Sequence, residues 1–398
     1  MSCRLCGSSM VESLIDFGMQ PIVHDFLSSG EDEYEKYPFT LEGCRSCCFL
    51  QLADPLSPDI LYKNYFTVSS WKFQPHTKRL ISVMEAMCKA NVDSKIIEIG
   101  CNDGTFLQEL QENGYKTLLG VEPTNDAFSI AQSKGLEVLH TFLGSSVAAD
   151  IIAERGRFDI LVTRQVLEHI SDLADFGCSM RSLVVDDGYL VIEVPDASLN
   201  LDTPDYTLWE EHVNYFTLET LKRYLNQIGF ELLHSESIMF SGKCLTAIAQ
   251  KRAVKVLSDD YIYQASLWKK IERFRDTWPI FKQAVGVAVR AAGSVAIYGA
   301  GSRSSFFVNS CDIGDCIKYY VDDQKEKQGY YVPGSSVTLP VLDSSVLNDD
   351  DVALCLLGVN TECENKVLAR HKNYLAKGGV FKSILPPSGM LLDVWNQV

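Results

Sequence analysis

No apolar run in this chain of 398 residues reaches the length of a bilayer-spanning helix. The first residues also lack the basic and apolar blocks of a secretory signal. Both absences point to a soluble, cytoplasmic protein with no membrane partner. Basic residues are scarce: 36 Lys and Arg stand against 52 Asp and Glu, for a net charge of −16. A phosphate backbone needs a basic face, so a nucleic-acid partner is excluded. A small anionic substrate is not, provided that a few basic side chains line a local pocket. The first glycine-rich turn lacks the full Gly-x-Gly-x-x-Gly spacing, so it is not built to cradle a pyrophosphate.

What the chain does have is material for packed cores, with 46% hydrophobic residues spread over a length that suits two to three domains. Its 13 cysteines are odd in number and scattered, and in a reducing compartment most read as small buried apolar side chains. The N-terminus is the exception. Cys3-x2-Cys6 and Cys44-x2-Cys47 form two matched knuckles, a set of four thiolates suited to tetrahedral Zn²⁺. No ligand position is left for water, so the site reads as structural. Cys48 competes with Cys47, although the pair spacing favours Cys47. Residues 1–70 have few long apolar runs and draw much of their order from the metal. Between the knuckles, Glu31 to Lys36 reads as a solvated charged loop. Tyr62 to Trp71 is aromatic and polar. Leu80, Val83, Met84 and Met87 then fall on a helical stripe that Ser69 or Ser70 would cap. His76 lies on this helix, either as a structural residue or lining a site.

The chain is organised around Ile96-Ile97-Glu98-Ile99-Gly100-Cys101-Asn102-Asp103-Gly104-Thr105-Phe106. A β-branched run ends in an acid and a glycine, a tight turn follows, and a helical pattern begins. Gly100 and Gly104 let the backbone approach a ligand, and Asn102 tolerates positive φ. Lys116 to Val121 is a second strand ending at Glu122 and Pro123. An acid there commonly accepts hydrogen bonds from the two hydroxyls of a ribose. Glu98-x-Gly100-x-Asn102-x-Gly104 resembles motif I of class I S-adenosylmethionine (SAM) methyltransferases. An ordinary strand-turn-helix is the plainer reading of the same residues.

Over residues 71–250 strand and helix patterns alternate, which argues for a parallel sheet covered on both faces. Asp126 to Lys134 reads as a helix. Glu137 to His140, Phe158 to Thr163 and Leu190 to Val194 read as strands. Glu231 to Ser237 and Leu245 to Gln250 would close the sheet as a hairpin. Ligands on such sheets sit beyond the carboxyl ends of the strands, which puts Gly100, Glu122, Arg164-Gln165 and Pro195 on one rim. Two Glu-His pairs stand near it. Glu168-His169 follows the fourth strand, and Glu211-His212 lies in the next loop, before a helix that Thr217 would cap. Histidine titrates near neutrality and can take a proton, and an adjacent carboxylate can fix its tautomer. Either histidine fits a satisfied structural role as well.

Residues 255–398 repeat the theme. Asp259 to Arg290 is helical in pattern, with a break expected at Pro279. Ser294 to Ser304 reads as strand, turn and helix around Gly299-Ala300-Gly301. Tyr319 to Asp323 follows at nearly the interval that separates Gly100 from Glu122, a weak internal duplication. Ser304 stands where a third glycine of a dinucleotide turn would be. Tyr330 to Gly334 reads as a turn, and Asp351 to Leu357 and Gly379 to Leu385 as later strands. This second open α/β unit either holds the nucleotide of a substrate, with backbone N–H groups and Arg303 facing phosphate, or only closes the site.

Taken together, these stretches resemble the sugar C-methyltransferase family of deoxysugar biosynthesis, whose members methylate carbon 3 of nucleotide-linked 4-keto-deoxysugars. The resemblance covers nearly the whole chain. It rests on the four N-terminal cysteines, Glu98 to Leu107, Val166-Leu167-Glu168-His169-Ile170, Glu211-His212-x-x-Tyr215-Phe216, Lys327-Gln328-Gly329 and Pro333-Gly334. Trp209 stands where the family pattern has a tyrosine, Thr67 replaces a second one, and Ser241-Gly242-Lys243-Cys244 replaces a more glycine-rich stretch. The resemblance implies a zinc-binding N-terminal domain, a Rossmann-like class I SAM methyltransferase domain and a second Rossmann-like α/β domain. It implies SAM held by Glu98, Gly100, Asn102, Gly104, Glu122, Pro123 and Gln165, and structural Zn²⁺ on Cys3, Cys6, Cys44 and Cys47. The expected substrate is a nucleotide sugar or a related small molecule. His212 would be the base, oriented by Glu211, and His169 or Tyr215 would donate to the developing enolate oxygen. O- or N-methylation of a sugar or another small molecule, a SAM-binding protein without catalysis, and a dehydrogenase using Gly299-Ala300-Gly301 are the competing readings. The oligomeric state stays open, a monomer included.

Overall fold

The computed structural model describes residues 2–61, 76–240, 242–252 and 261–397. The aromatic stretch from Tyr62 to Trp71, with Thr67 and the Ser69 or Ser70 cap, lies outside them, as does Ser241. The helix with the Leu80 stripe runs Thr77–Cys88 behind an N-cap at His76.

Three sheets organise the chain. The central one has seven strands, in the order Phe230–Met239, Lys243–Lys251, Val184–Pro195, Phe158–Arg164, Lys95–Ile99, Thr117–Val121 and Val138–Leu139. The last five are parallel, and the first two form the antiparallel hairpin that ends the unit. Ile96, Ile97, Leu161, Val162, Val191 and Ile192 are fully buried. Such continuous apolar runs are what a sheet covered on both faces requires. Strand order reverses between Lys95–Ile99 and Phe158–Arg164, and a crevice opens beyond their carboxyl ends.

The second sheet has six strands, centred on Val295–Tyr298 with Ile317–Val321 on one side and Leu354–Leu357 on the other. Tyr331–Val332, expected within a turn, is instead a short strand paired antiparallel with Leu339–Leu342. The expected break at Pro279 is also absent, because Tyr261–Ala292 is one helix of 32 residues. Proline removes one backbone donor there. Phe274, Trp278, Phe281, Val285 and Val289 bury one face on both sides of it and hold the two halves in line.

The third sheet is N-terminal: Val11–Pro21, Lys36–Cys44 and Leu50–Leu52, all antiparallel. Its fourth strand, Asn214–Tyr215, comes from far along the chain and starts two residues after His212. The zinc-knuckle sheet and the second Glu-His loop are thereby one structural piece. No helix among the described residues is long and apolar enough to cross a membrane.

Candidate active site

The N-terminal cysteines converge. Cys3 Sγ lies 3.6 Å from Cys47 Sγ, and Cys6 Sγ lies 3.7 Å from Cys44 Sγ. Four sulfurs about 2.3 Å from one Zn²⁺ form a tetrahedron with edges of about 3.8 Å, so the set fits the ion. Cys48 adopts φ 57° and sends its thiol to the Gln264 carbonyl at 3.3 Å, so it is not a fifth candidate. Arg4, inside the first knuckle, donates from Nη2 to Leu52 O at 2.7 Å and to Val213 O at 2.5 Å, and from Nε to Asn214 Oδ1 at 3.1 Å. Asn214 in turn donates to Leu167 O and Ile170 O at 3.1 and 2.7 Å. The knuckle therefore grips both histidine-bearing loops.

At the crevice, Gly100 has φ 72°, and its N–H donates to Val121 O at 2.8 Å. A Cβ there would fall 2.3 Å from Val166 Cγ2. Asn102 takes φ 50° and donates its backbone N–H to Glu122 Oε2 at 2.9 Å. The Thr124 N–H and hydroxyl donate to Glu122 Oε1 at 2.9 and 2.6 Å. A carboxylate offers about four lone-pair sites, so Glu122 retains acceptor capacity where it faces the cavity. Pro123, Asn102 and Gln165 border the same cavity. Two of the sequence candidates do not. Gly104 instead makes room for Leu136 and Ala131. Glu98 is fully buried, and Arg164 donates to its Oε1 from Nε and Nη2 at 3.1 and 3.0 Å. Burial pushes the Glu98 carboxyl up to about 7, against the pull of Arg164. Arg164 also approaches Glu193 at 3.7 Å, and His76 Nε2 lies 3.3 Å from the same carboxylate. Glu193 borders the cavity, whereas His76 sits behind it.

Of the two sequence-adjacent Glu-His pairs, the first meets loosely, with His169 Nε2 4.0 Å from Glu168 Oε1, and the second does not. His169 Nδ1 faces the Glu211 carbonyl at 2.8 Å, which only accepts, so Nδ1 carries the proton and Nε2 presents a lone pair. The His212 ring stands edge-on to it at 4.9 Å and rests on Trp209 at 3.8 Å. Burial lowers the pKa of both imidazoles, that of His212 well below the ordinary value. Both are neutral near pH 7. The expected Glu211–His212 contact is absent, because Glu211 turns to His24, whose Nδ1 lies 2.7 Å from its Oε1. The carboxylate that approaches both rings is Glu168, with one of its oxygens and one nitrogen of each ring all within 4.8 Å of one another. Neither Glu168 oxygen has a hydrogen-bond partner among the described residues, and burial pushes its pKa up to about 8. The Tyr215 hydroxyl is buried without a partner among them, and burial keeps it protonated.

Across the cavity the second α/β unit repeats the first. Gly299, at φ 97°, donates to Val321 O at 2.8 Å, and the Ala300 N–H donates to Asp322 Oδ2 at 3.0 Å. The Gly301 N–H meets Ser304 Oγ at 3.2 Å, so both turn N–H groups are used internally. Arg303 is also engaged, donating to Asp205 Oδ2 at 2.6 Å and Thr207 Oγ1 at 2.9 Å. The expectation that these groups stand open toward phosphate is corrected accordingly. Arg303 still borders the cavity, together with Lys327, Lys366 and Arg370. One cavity of about 910 Å³ is lined by the Gly100 rim, by both histidines and by these four cations, three of which are paired with Asp205, Asp322 and Asp323.

Three families match consecutive stretches of the chain: a zinc binding domain at residues 3–62, a methyltransferase domain at 73–235 and a C-methyltransferase C-terminal domain at 244–386. The C-methyltransferase NovU of Streptomyces niveus is 23% identical over 403 residues, covering 96% of this chain and 95% of that protein. The three matches, in this order and over nearly the whole chain, are the domain arrangement of a C-methyltransferase. Among solved structures, 1,6-didemethyltoxoflavin-N1-methyltransferase of Burkholderia thailandensis covers 51% of the chain and 95% of its own length, at 14% identity and a TM-score of 0.39. Magnesium protoporphyrin IX methyltransferase of Synechocystis covers 44% and 79%, at 15% identity and a TM-score of 0.33.

The enzyme is a SAM-dependent methyltransferase that also binds zinc. Its crevice fits the donor: the glycine bend leaves no space for a side chain, and Glu122 faces the cavity with acceptor capacity to spare. Sequence reasoning put Arg164 on the rim but missed its tie to Glu98, and it missed His24, Glu193 and the partner of Glu211. Glu193 lies near the end of a rim strand, a position that could have flagged it. Nothing local marks His24.

Proposed function

We propose that the enzyme methylates the carbon next to the ketone of a nucleotide-linked keto-deoxysugar. The observation that carries this reading is the pair of neutral imidazoles, His169 and His212, lining one cavity together with the cofactor rim and the edge of the second α/β unit. SAM supplies a methyl group on a positively charged sulfur. The acceptor must therefore be a nucleophile, and a carbon beside a ketone becomes one only on losing its α-proton. His212 takes that proton. It is in its basic form near pH 7, and Glu168, which burial keeps protonated there, stands beside both rings. Base catalysis of this kind contributes about 10²- to 10⁴-fold. Tyr215, a buried donor without a partner among the described residues, receives the enolate oxygen. Lys366 lines the part of the cavity that takes the diphosphate of the nucleotide, beside Lys327, held by Ala300 O and Asp322, and Arg370, paired with Asp323.

Mass spectrometry of the protein incubated with SAM and a panel of nucleotide keto-sugars tests this directly. C-methylation places the added mass on carbon and releases a deuterium from the α-position. A product methylated on oxygen or nitrogen, with the α-deuterium retained, would overturn the reading.

A further inference from the structure

His24 lies in the N-terminal segment, beyond the strand Val11–Pro21, and it borders the cavity. Its Nδ1 is 2.7 Å from Glu211 Oε1 and 3.3 Å from Glu210 Oε1, and its Nε2 is 2.9 Å from the Leu61 carbonyl. The Leu61 carbonyl can only accept, so Nε2 carries a proton, and the two carboxylates facing Nδ1 favour a second proton there, which makes the ring an imidazolium. The backbone of the same segment joins in, since the Val23 N–H donates to Glu210 Oε1 at 2.9 Å. We propose that His24 is a positioning residue that holds Glu211 ionised against the cavity wall, so that Glu211 accepts a hydrogen bond from a hydroxyl of the methyl acceptor. This rests on the cavity being the acceptor site.

Burial alone would make His24 less basic, and its two carboxylate neighbours outweigh burial and raise it to about 11. Burial likewise opposes ionisation of Glu211, and His24 reverses that. The other titratable groups among the described residues that act on Glu211 are His169, whose Nδ1–H reaches the Glu211 carbonyl, and Glu168. His169 is neutral, which leaves His24 as the counter-charge. An ionised carboxylate accepts and cannot donate, so the wall selects acceptors that present a hydroxyl at this point.

The first test needs no substrate. In protein carrying ¹⁵N-labelled histidine, one imidazolium with both N–H groups persists above pH 8, and it is lost in Glu211→Gln combined with Glu210→Gln. A neutral His24 at that pH would overturn the proposal, whatever the acceptor proves to be. The second test is kinetic. His24→Gln, with zinc content and S-adenosylhomocysteine binding intact, lowers kcat/KM about 10- to 100-fold through misplacement of Glu211. Glu211 then loses its counter-charge, its pKa rises, and the acid limb of the pH profile moves up by about one unit or more. The double variant His24→Gln/Glu211→Gln is no worse than Glu211→Gln alone. An unmoved pH profile in His24→Gln, even with lowered stability, would reduce His24 to a structural residue. An intact imidazolium with no keto-sugar methylated would refute the substrate reading and leave the clamp standing.

Discussion

Replacing Gly100 by alanine tests the cofactor bend, and its cost can be worked from two separate observations. The backbone at Gly100 has φ +72°, and an added Cβ would lie 2.3 Å from Val166 Cγ2. An L-residue in the left-handed region costs about 1–2 kcal/mol. Overpacking against a buried neighbour costs about 1–3 kcal/mol more. The sum is about 2–5 kcal/mol, relieved in part by pushing Val166 and the following Glu168–His169 turn away. Gly135 provides the control, since it has φ +77° and nothing within 4 Å of an added Cβ. Gly135→Ala should lose only the backbone share, about 1–2 kcal/mol, with its affinity for S-adenosylhomocysteine intact. Gly100→Ala should lose more stability, and its affinity by calorimetry should fall about 10- to 100-fold, the equivalent of about 1.4–2.8 kcal/mol. If both variants bind alike, the bend is not where the cofactor lies, and the argument from the absent side chain fails.

His212→Gln should leave S-adenosylhomocysteine affinity unchanged and cut turnover about 10²- to 10⁴-fold, and normal turnover would remove His212 from the chemistry. Cys44→Ser should lower zinc content and the melting temperature together, because structural zinc contributes about 10–16 kcal/mol of apparent binding energy to folding. Turnover should fall with them, since Asn214–Tyr215 is the last strand of the same sheet, and full zinc occupancy in the variant would contradict the four-sulfur assignment. Glu168 has a folded-state pKa of about 8 against an ordinary 4.5. The folded protein thus holds that proton more tightly than the unfolded chain, a stabilisation complete below pH 4.5 and lost as pH rises through 8. Glu168→Gln should therefore gain on the wild type in thermal melts as pH rises over that window, and parallel curves would show that the carboxyl is not protonated in the fold.

The parts of this enzyme that were legible in the sequence are local ones. Alternating strand and helix patterns, the Cys-x2-Cys pairs and the Glu98-x-Gly100-x-Asn102 turn each depend on residues within a few positions of one another. The structure brings Gly100, Asn102, Glu122, Pro123 and Gln165 to one rim, as their strand-end positions required. Expectations that depended on partners far along the chain fared differently. Glu211 and His212 are neighbours in sequence, but their side chains leave the loop in different directions, and Glu211 meets a residue of the N-terminal segment. Val23 and Glu210, which bond beside that ion pair, are 187 positions apart. Pro279 misled for a similar reason, since the aromatic face that keeps its helix straight packs against other parts of the chain. The strand Asn214–Tyr215 is too short to carry a pattern and exists only because Leu50–Leu52 offers it an edge.

The internal duplication bears on why one chain presents two such different walls. Both units tie the glycine N–H to the end of the next strand and a turn N–H to the acid beyond it, Glu122 in the first and Asp322 in the second. They diverge where a ligand would meet them. Glu122 keeps acceptor capacity facing the cavity, whereas Asp322 also takes Lys327 Nζ at 3.3 Å. The Ser304 hydroxyl, at the third-glycine position, donates to Gly299 O at 2.5 Å and closes the second turn on itself. A dinucleotide pyrophosphate needs open turn N–H groups and a side-chain-free third position, and the second turn offers neither. The duplicated unit has thus kept the scaffold of a nucleotide turn while spending its hydrogen bonds internally.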